Sequence, residues 1–168
     1  MSKQLVLITG MSGSGKTTLA DHFEDKGLRV VTMGDVIRDL AEERGLSPTP
    51  ENLGQLARGI RAEGGDAAVA ERCVQKIESI PANRVVVDGI RSIGEVEVFG
   101  KYYDTSLVAV YASPKTRYLR LQERGRSDDP HDPETFRDRD HRELGFSLGH
   151  AVALADFTIN NEGTCEGL

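Results

Sequence analysis

Gly10-Met11-Ser12-Gly13-Ser14-Gly15-Lys16-Thr17 sets three glycines, two serines and a Lys-Thr pair within one short stretch. The spacing is G-x-x-x-x-G-K-T, the pattern of a loop that wraps phosphate. Each residue type has a reason to be there. Gly10, Gly13 and Gly15 let the backbone turn tightly and aim its N–H groups at phosphate oxygens. The helix that begins near Lys16 adds the positive end of its dipole. The Lys16 ammonium is placed to reach β- and γ-phosphates, and the Thr17 hydroxyl to ligate magnesium. Ser12, Ser14 and Thr18 complete the candidate phosphate-binding set. The chemistry expected is the holding of ATP with Mg²⁺.

Two more segments carry charged residues in a telling place. Thr32-Met33-Gly34-Asp35-Val36-Ile37-Arg38 follows a short apolar run, and Asp88-Gly89-Ile90-Arg91 ends another. In a parallel sheet, ligands bind beyond the carboxyl ends of the strands. Both segments and the phosphate loop therefore share one rim. Asp88 is placed to serve magnesium, directly or behind its ligands. Arg38 and Arg91 face the same cleft and suit an acceptor phosphate. Asp35 could orient a hydroxyl acceptor as its base; a phosphate acceptor needs none.

These residues require a frame of buried strands joined by helices. Short runs rich in Val, Ile and Leu recur at Leu5–Thr9, Arg29–Thr32, Arg84–Val87, Leu107–Ala112 and Phe157–Ile159. Such runs suit parallel strands covered on both faces. Between them the spacing predicts helices over Lys16–Lys26, Gly34–Arg44, Pro50–Glu63, Asp66–Ser79, Ile93–Tyr103, Pro114–Glu123 and Pro133–Leu144. Asp66 is a candidate N-cap. Pro114 opens its helix at the position where a missing N–H costs little. Strands alternating with helices give an α/β fold with a parallel sheet. Gly125–Pro133, polar and bounded by proline, reads as a mobile loop.

The bulk properties narrow the field. The 168 residues suit a single domain spanning 1–168. The net charge of −6 disfavours a general nucleic-acid binder without excluding a local basic pocket. Cys73 and Cys165 stand far apart, which points to a reducing, cytoplasmic setting rather than a disulfide framework. No stretch is apolar enough to span a membrane, and the opening MSKQLVLITG reads as a first strand rather than a signal peptide. His22, His131, His141 and His150 lack zinc-ligand spacing and are expected to be structural or exposed. Cys73 is expected in the core, and Tyr102 and Tyr103 as packing residues. There is no Trp, so no base-stacking platform for single strands is expected.

The motifs together resemble the P-loop nucleoside-monophosphate kinase family, adenylate kinase in particular. Gly34-Asp35-Val36-Ile37-Arg38 looks like the family's monophosphate-site motif, and Asp88-Gly89-Ile90-Arg91 like its D-G-x-P-R motif. The resemblance continues through Arg117–Arg124, Arg126-Ser127-Asp128-Asp129, Arg137 and Arg139. In that family arginines flanking a short lid clamp the transferring phosphoryl group. By resemblance Arg120, Arg124, Arg126 and Arg139 are the candidates, with Asp128 and Asp129 ordering them. Ala155–Gly163 is similar to the last strand and adenine-side loop of dephospho-CoA kinases. The pattern is most similar to archaeal proteins related to both families. The resemblance implies a three-layer sandwich with five parallel strands in the order 2-3-1-4-5 and helices on both faces. It further implies a helical acceptor-binding insertion over 38–80 and a lid over 125–133.

The departures bear on the acceptor. The family's proline before the arginine of the second motif has no counterpart here, and the chain is one residue shorter there. Where adenylate kinase places a glutamine that reads the acceptor base, this sequence has Glu95. A carboxylate only accepts hydrogen bonds, so it suits guanine's donor edge; a solvated helix residue is the other reading. For Arg61 an exposed role and an acceptor contact are equally open. The function implied is transfer of the γ-phosphoryl group of ATP to a nucleotide or nucleotide-like small acceptor. The alternative is an adenylate-kinase-like ATPase serving as an assembly factor, for example in ribosome maturation, through RNA or protein binding. A GTPase switch is disfavoured, because no N/T-K-x-D guanine motif is present.

Overall fold

Runs of apolar residues on consecutive positions must find cover on both sides, and the chain supplies it by placing helices above and below one sheet. The computed structural model describes residues 3–163, other than residues 66, 127 and 128. The strands are β1 (Gln4–Thr9), β2 (Arg29–Thr32), β3 (Arg84–Ile90), β4 (Asp104–Tyr111) and β5 (Phe157–Asn160). They form one parallel sheet in the order β2-β3-β1-β4-β5, as the resemblance implies. Period-two alternation divides the side chains between two cores. Leu5, Leu7, Val85 and Val87 enter the larger one, while Ile8 and Val86 enter the smaller one on the opposite face.

The helices are α1 (Lys16–Asp25), α2 (Met33–Glu43), α3 (Pro50–Gly64), α4 (Ala68–Glu78), α5 (Ile93–Tyr102), α6 (Pro114–Arg124), α7 (Pro133–Gly145) and α8 (Leu148–Ala153). Several begin where a side-chain oxygen accepts an otherwise unpaired backbone N–H. Thr32 does so for Asp35, Ser113 for Thr116 and Asp132 for Thr135. Each such cap is worth about 1 kcal/mol. Pro114 and Pro133 occupy first-turn positions. The Asp66 cap lies outside the described residues. Helix α8 has no counterpart in the sequence expectation: six residues are too few to show a period, and its start depends on Ser147 in the left-handed region at φ 66°.

The stretch 38–80 holds the end of α2 together with α3 and α4, and all three contribute to the larger core. Val69, Ala70, Cys73 and Ile77 on α4 are fully buried in the larger core, beside Leu40 and Ala41 of α2. Burying one side chain such as Ile77 is worth about 1.5–3 kcal/mol. Helix α3 packs on α2 and α4 and adds Leu56 and Ile60 to the same core. Cys73 is a core residue, its thiol pKa pushed up to about 12 by burial. Tyr103 packs and donates to Glu78 at 2.6 Å, whereas Tyr102 is exposed.

Candidate functional site

The carboxyl ends of β1 and β3 build the site. β1 runs into the loop Gly10–Gly15, and the loop runs into α1. Two glycines are required by close approach. A Cβ on Gly10 would lie 2.4 Å from the Val110 carbonyl oxygen, and one on Gly13 would lie 2.9 Å from that of Arg117. The loop is therefore pressed against β4 and α6. Gly15 takes φ 105° immediately before α1.

Lys16 rises from this loop. Its stem is half-exposed, but the ammonium is sunk among protein atoms and donates to the Met11 carbonyl at 3.0 Å. Loss of water pulls its pKa down to about 8, and the nearby Glu143 and Asp88 carboxylates oppose that shift. Thr17 and Thr18 are exposed on the first turn of α1. Ser12 and Ser14 are buried.

Asp88 reaches the loop through a local irregularity. The pairing of β1 with β3 shifts between Ile8 and Thr9, so that Ile8 faces Asp88 while Thr9 faces Ile90. Gly89 takes up the extra residue at φ 97°. Asp88 is buried, and burial raises its pKa against the pull of Lys16. Its Oδ1 and the Ser14 hydroxyl are buried without a hydrogen-bond partner among the described residues. Buried polar atoms are rarely left so unless a ligand, ion or water completes them. The donor set therefore fits ATP with Mg²⁺: loop N–H groups and Lys16 for the phosphates, Thr17 and Asp88 for the metal.

Beside the loop lies a cavity of about 510 Å³. Six arginines line it: Arg38, Arg58, Arg61, Arg91, Arg139 and Arg142. Gly89 and Glu143 also line it, which ties it to Asp88 and to the phosphate loop. Arg38 and Arg91 thus stand where the sequence places them, while Arg58 and Arg142 are additions. Asp35 does not line the cavity; its carboxylate accepts from Arg38 at 2.6 Å in a solvent-exposed pair one helical turn apart.

Glu95 requires a correction. It is fully buried, not a solvated helix residue. Its Oε2 accepts the Arg91 N–H at 2.7 Å and the Ser92 N–H at 3.3 Å, while its own N–H donates to the Ser92 hydroxyl. This is a capping box at the start of α5. Oε1 lies 3.7 Å from Arg61, whose guanidinium also sits 5.4 Å over the Phe146 ring. Oε2 is committed to the helix start, Oε1 has no hydrogen-bond partner among the described residues, and Glu95 stands behind the cavity lining rather than in it.

The lid arginines divide. Arg124 forms a two-pronged pair with Asp129, one contact at 2.9 Å, and Arg139 lies 3.6 Å from the same carboxylate. Asp129 also accepts the Arg126 N–H at 3.0 Å, and these cations hold its pKa below the usual range. Asp129 thus orders Arg124 and Arg139, while Asp128 lies outside the described residues. The Arg126 side chain is exposed. Arg120 donates through Nη2 to the Asn161 and Gly163 carbonyls, both at 2.8 Å, while its Nη1 is buried without a hydrogen-bond partner among the described residues. Asn161 in turn donates to the Ser14 carbonyl at 2.8 Å. Arg120 braces the segment after β5 against the phosphate loop.

Two residues at the centre were not singled out by the sequence. Arg117 is buried; it donates to the Ala112 and Ser12 carbonyls, each at 3.1 Å, and is gripped by both Asp140 oxygens at 2.8 and 2.6 Å. Its guanidinium lies 5.1 Å over the Phe136 ring. Glu143 is buried and accepts the Ser12 N–H at 3.1 Å. In the sequence both sit among many other charged residues and look like a solvated helix face.

The loop and the sheet order define a P-loop protein, and a family model described as an AAA domain matches residues 6–142. The chain belongs to the UPF0200 family. It is 49% identical to a UPF0200 protein of Hyperthermus butylicus over 96% of this chain and 87% of that protein. It is 46% identical to one of Methanocaldococcus jannaschii, over 96% and 83%. Among solved structures it resembles TT1252 from Thermus thermophilus, with a TM-score of 0.69, 18% identity and coverage of 99% and 93%. It also resembles shikimate kinase from Bacteroides thetaiotaomicron, with a TM-score of 0.65, 17% identity and coverage of 94% and 86%. At such identities these structures speak for the fold. Among the described residues no helix is long and apolar enough to cross a membrane.

Proposed function

We propose that this protein is an ATP- and Mg²⁺-dependent phosphotransferase that moves the γ-phosphoryl group to a small phosphate-bearing acceptor, nucleotide or nucleotide-like. The observation that carries the reading is the six-arginine cavity next to the loop that bears Lys16. A loop alone supports nucleotide binding. A second, strongly cationic chamber, joined to it through Gly89 and Glu143, supports an anionic partner for the nucleotide. Arginine suits this role because its planar fork matches phosphate geometry and stays charged at any working pH. That the fold neighbours include kinases is consistent with the reading.

Bound ATP with Mg²⁺ would supply the transferable phosphoryl group and a counter-charge. The chain's own residues would position and neutralise. The loop N–H groups and Lys16 hold the triphosphate; Asp88 and Thr17 hold the metal. Arg38 and Arg91 orient the acceptor's anionic end, with Asp35 fixing Arg38. Arg124 and Arg139, ordered by Asp129, flank the 125–133 segment that would close over the site and exclude water.

The test is ATP turnover with Mg²⁺ across ribo- and deoxyribonucleoside monophosphates, dephospho-CoA, shikimate and an acceptor-free control, with product followed directly. One acceptor that yields a phosphorylated product supports the reading and names the substrate. Slow hydrolysis indifferent to every acceptor overturns it in favour of a nucleotide-dependent assembly factor.

A further inference from the structure

We propose that Glu143 competes with phosphate for the loop and couples nucleotide loading to the shape of the acceptor cavity, an inference that rests on the phosphotransferase reading. Ser12 is clasped by both of its main-chain groups. Its N–H donates to Glu143 Oε2 at 3.1 Å, and its carbonyl accepts from Arg117, which Asp140 grips. Asp140 and Glu143 lie one turn apart on α7. A single helix thus holds the loop from both sides of one residue.

The N–H groups of such a loop are the donors that receive phosphate oxygens. A carboxylate and a phosphate oxygen are both anions, and one N–H does not serve both. Phosphate that takes the Ser12 N–H must displace Glu143. The carboxylate has a partner ready: its Oε1 lies 3.8 Å from Arg139 on the same helix. Among the described residues Glu143 is also the one carboxylate in the cavity wall, and Arg139, Arg142 and Phe146 of that wall lie on α7 or directly after it. Releasing Glu143 from Ser12 therefore loosens one of the two ties between the loop and the helix that shapes the acceptor chamber, leaving the Asp140–Arg117 tie as a pivot. Glu143 is a positioning residue, acting through Ser12 and α7.

The experiment is calorimetric titration of ATP with Mg²⁺ into the wild type, Glu143→Gln and Glu143→Ala, with thermal melts to show that all three are folded. Removing the competing charge is expected to tighten ATP binding on the order of tenfold, the worth of one hydrogen bond to a charged acceptor. A merely structural glutamate would, when removed, loosen the loop and weaken binding. Affinity unchanged or weaker in both folded variants overturns the proposal. Binding by a variant where the wild type shows none supports it, and no binding by any of the three overturns it together with the phosphotransferase reading. If affinity tightens while no acceptor is phosphorylated, the coupling of Glu143 to the loop stands and the phosphotransferase reading falls.

Discussion

Replacing Lys16 with methionine should make the protein more stable while removing its grip on phosphate. Folding drops the Lys16 pKa from its ordinary 10.5 to about 8, mainly because burial strips water from the ammonium. Each tenfold change in proton affinity is about 1.4 kcal/mol, so holding this charge at pH 7 costs the fold about 3 kcal/mol. Methionine keeps the length and removes the charge. It also takes the Nζ donor from the Met11 carbonyl, a loss of about 1 kcal/mol. The net gain is about 2 kcal/mol, or roughly 4–8 °C in Tm for a chain of this size. The sign of the pH dependence follows. Between pH 8 and 10.5 the unfolded chain holds a proton on Lys16 that the folded chain has lost, so wild-type stability gains relative to Lys16→Met as pH rises. The net advantage of Lys16→Met should be full at pH 7, shrink above pH 8 and vanish at about pH 10, where the remaining charge cost equals the lost hydrogen bond. Paired urea or thermal melts at pH 7, 8.5 and 10 measure it, and calorimetry with ATP should show binding lost. A Lys16→Met protein that melts at or below the wild type at pH 7 would refute the argument that burial strains this lysine.

Gly10→Ala puts a Cβ about where the Val110 carbonyl oxygen stands, 2.4 Å away, in a backbone conformation with φ 149°; it should cost about 2–4 kcal/mol and abolish ATP binding, read by melts and calorimetry. Arg117→Ala leaves Asp140 without its two-pronged partner and the Ser12 carbonyl without a donor. A loss of about 2–4 kcal/mol is expected in denaturant melts, with Asp140→Ala losing much of the same amount and the double variant little more. Glu95→Ala should lower stability by about 1–2 kcal/mol through loss of the capping box, with the ranking of acceptors unchanged; a changed ranking would restore a base-reading role to Glu95.

The sequence made the phosphate loop and the strands legible because both are local. The loop needs glycines at fixed spacing, since Gly10 and Gly13 meet backbone atoms closer than a side chain permits. The strands need unbroken apolar runs, since both faces of the sheet are covered. What stayed illegible is the choice among charged residues. α6 and α7 carry arginines, aspartates and glutamates nearly throughout, and spacing alone does not say which of them turn inward. The answer depends on where the helices sit. Arg117 turns inward because α6 lies against Gly13, which brings its guanidinium to the Ser12 carbonyl and to Asp140. Arg120, three residues on, reaches the segment after β5, while Arg124 and Arg139 gather on Asp129. The burial of Glu95 was hidden for a related reason: Ser92, three residues earlier, forms with it a capping box that turns the carboxylate back onto the helix start through Oε2.

The signs of the charges around the loop follow one logic. Phosphate binding needs N–H groups and a lysine held in a partly dry cradle, and such a cradle cannot hold its own positive charge cheaply. Asp88 and Glu143 are the carboxylates that offset Lys16 most strongly, and the two are not equivalent. Asp88 extends from a strand of the sheet, fixed by the bulge at Gly89, and leaves an oxygen unbonded. Glu143 extends from a helix that also walls the acceptor cavity, and its oxygen is already on a loop N–H. On the proposed reading, a fixed carboxylate suits a metal that must stay in register with the phosphates. One carried by a helix suits a charge that must leave when phosphate arrives.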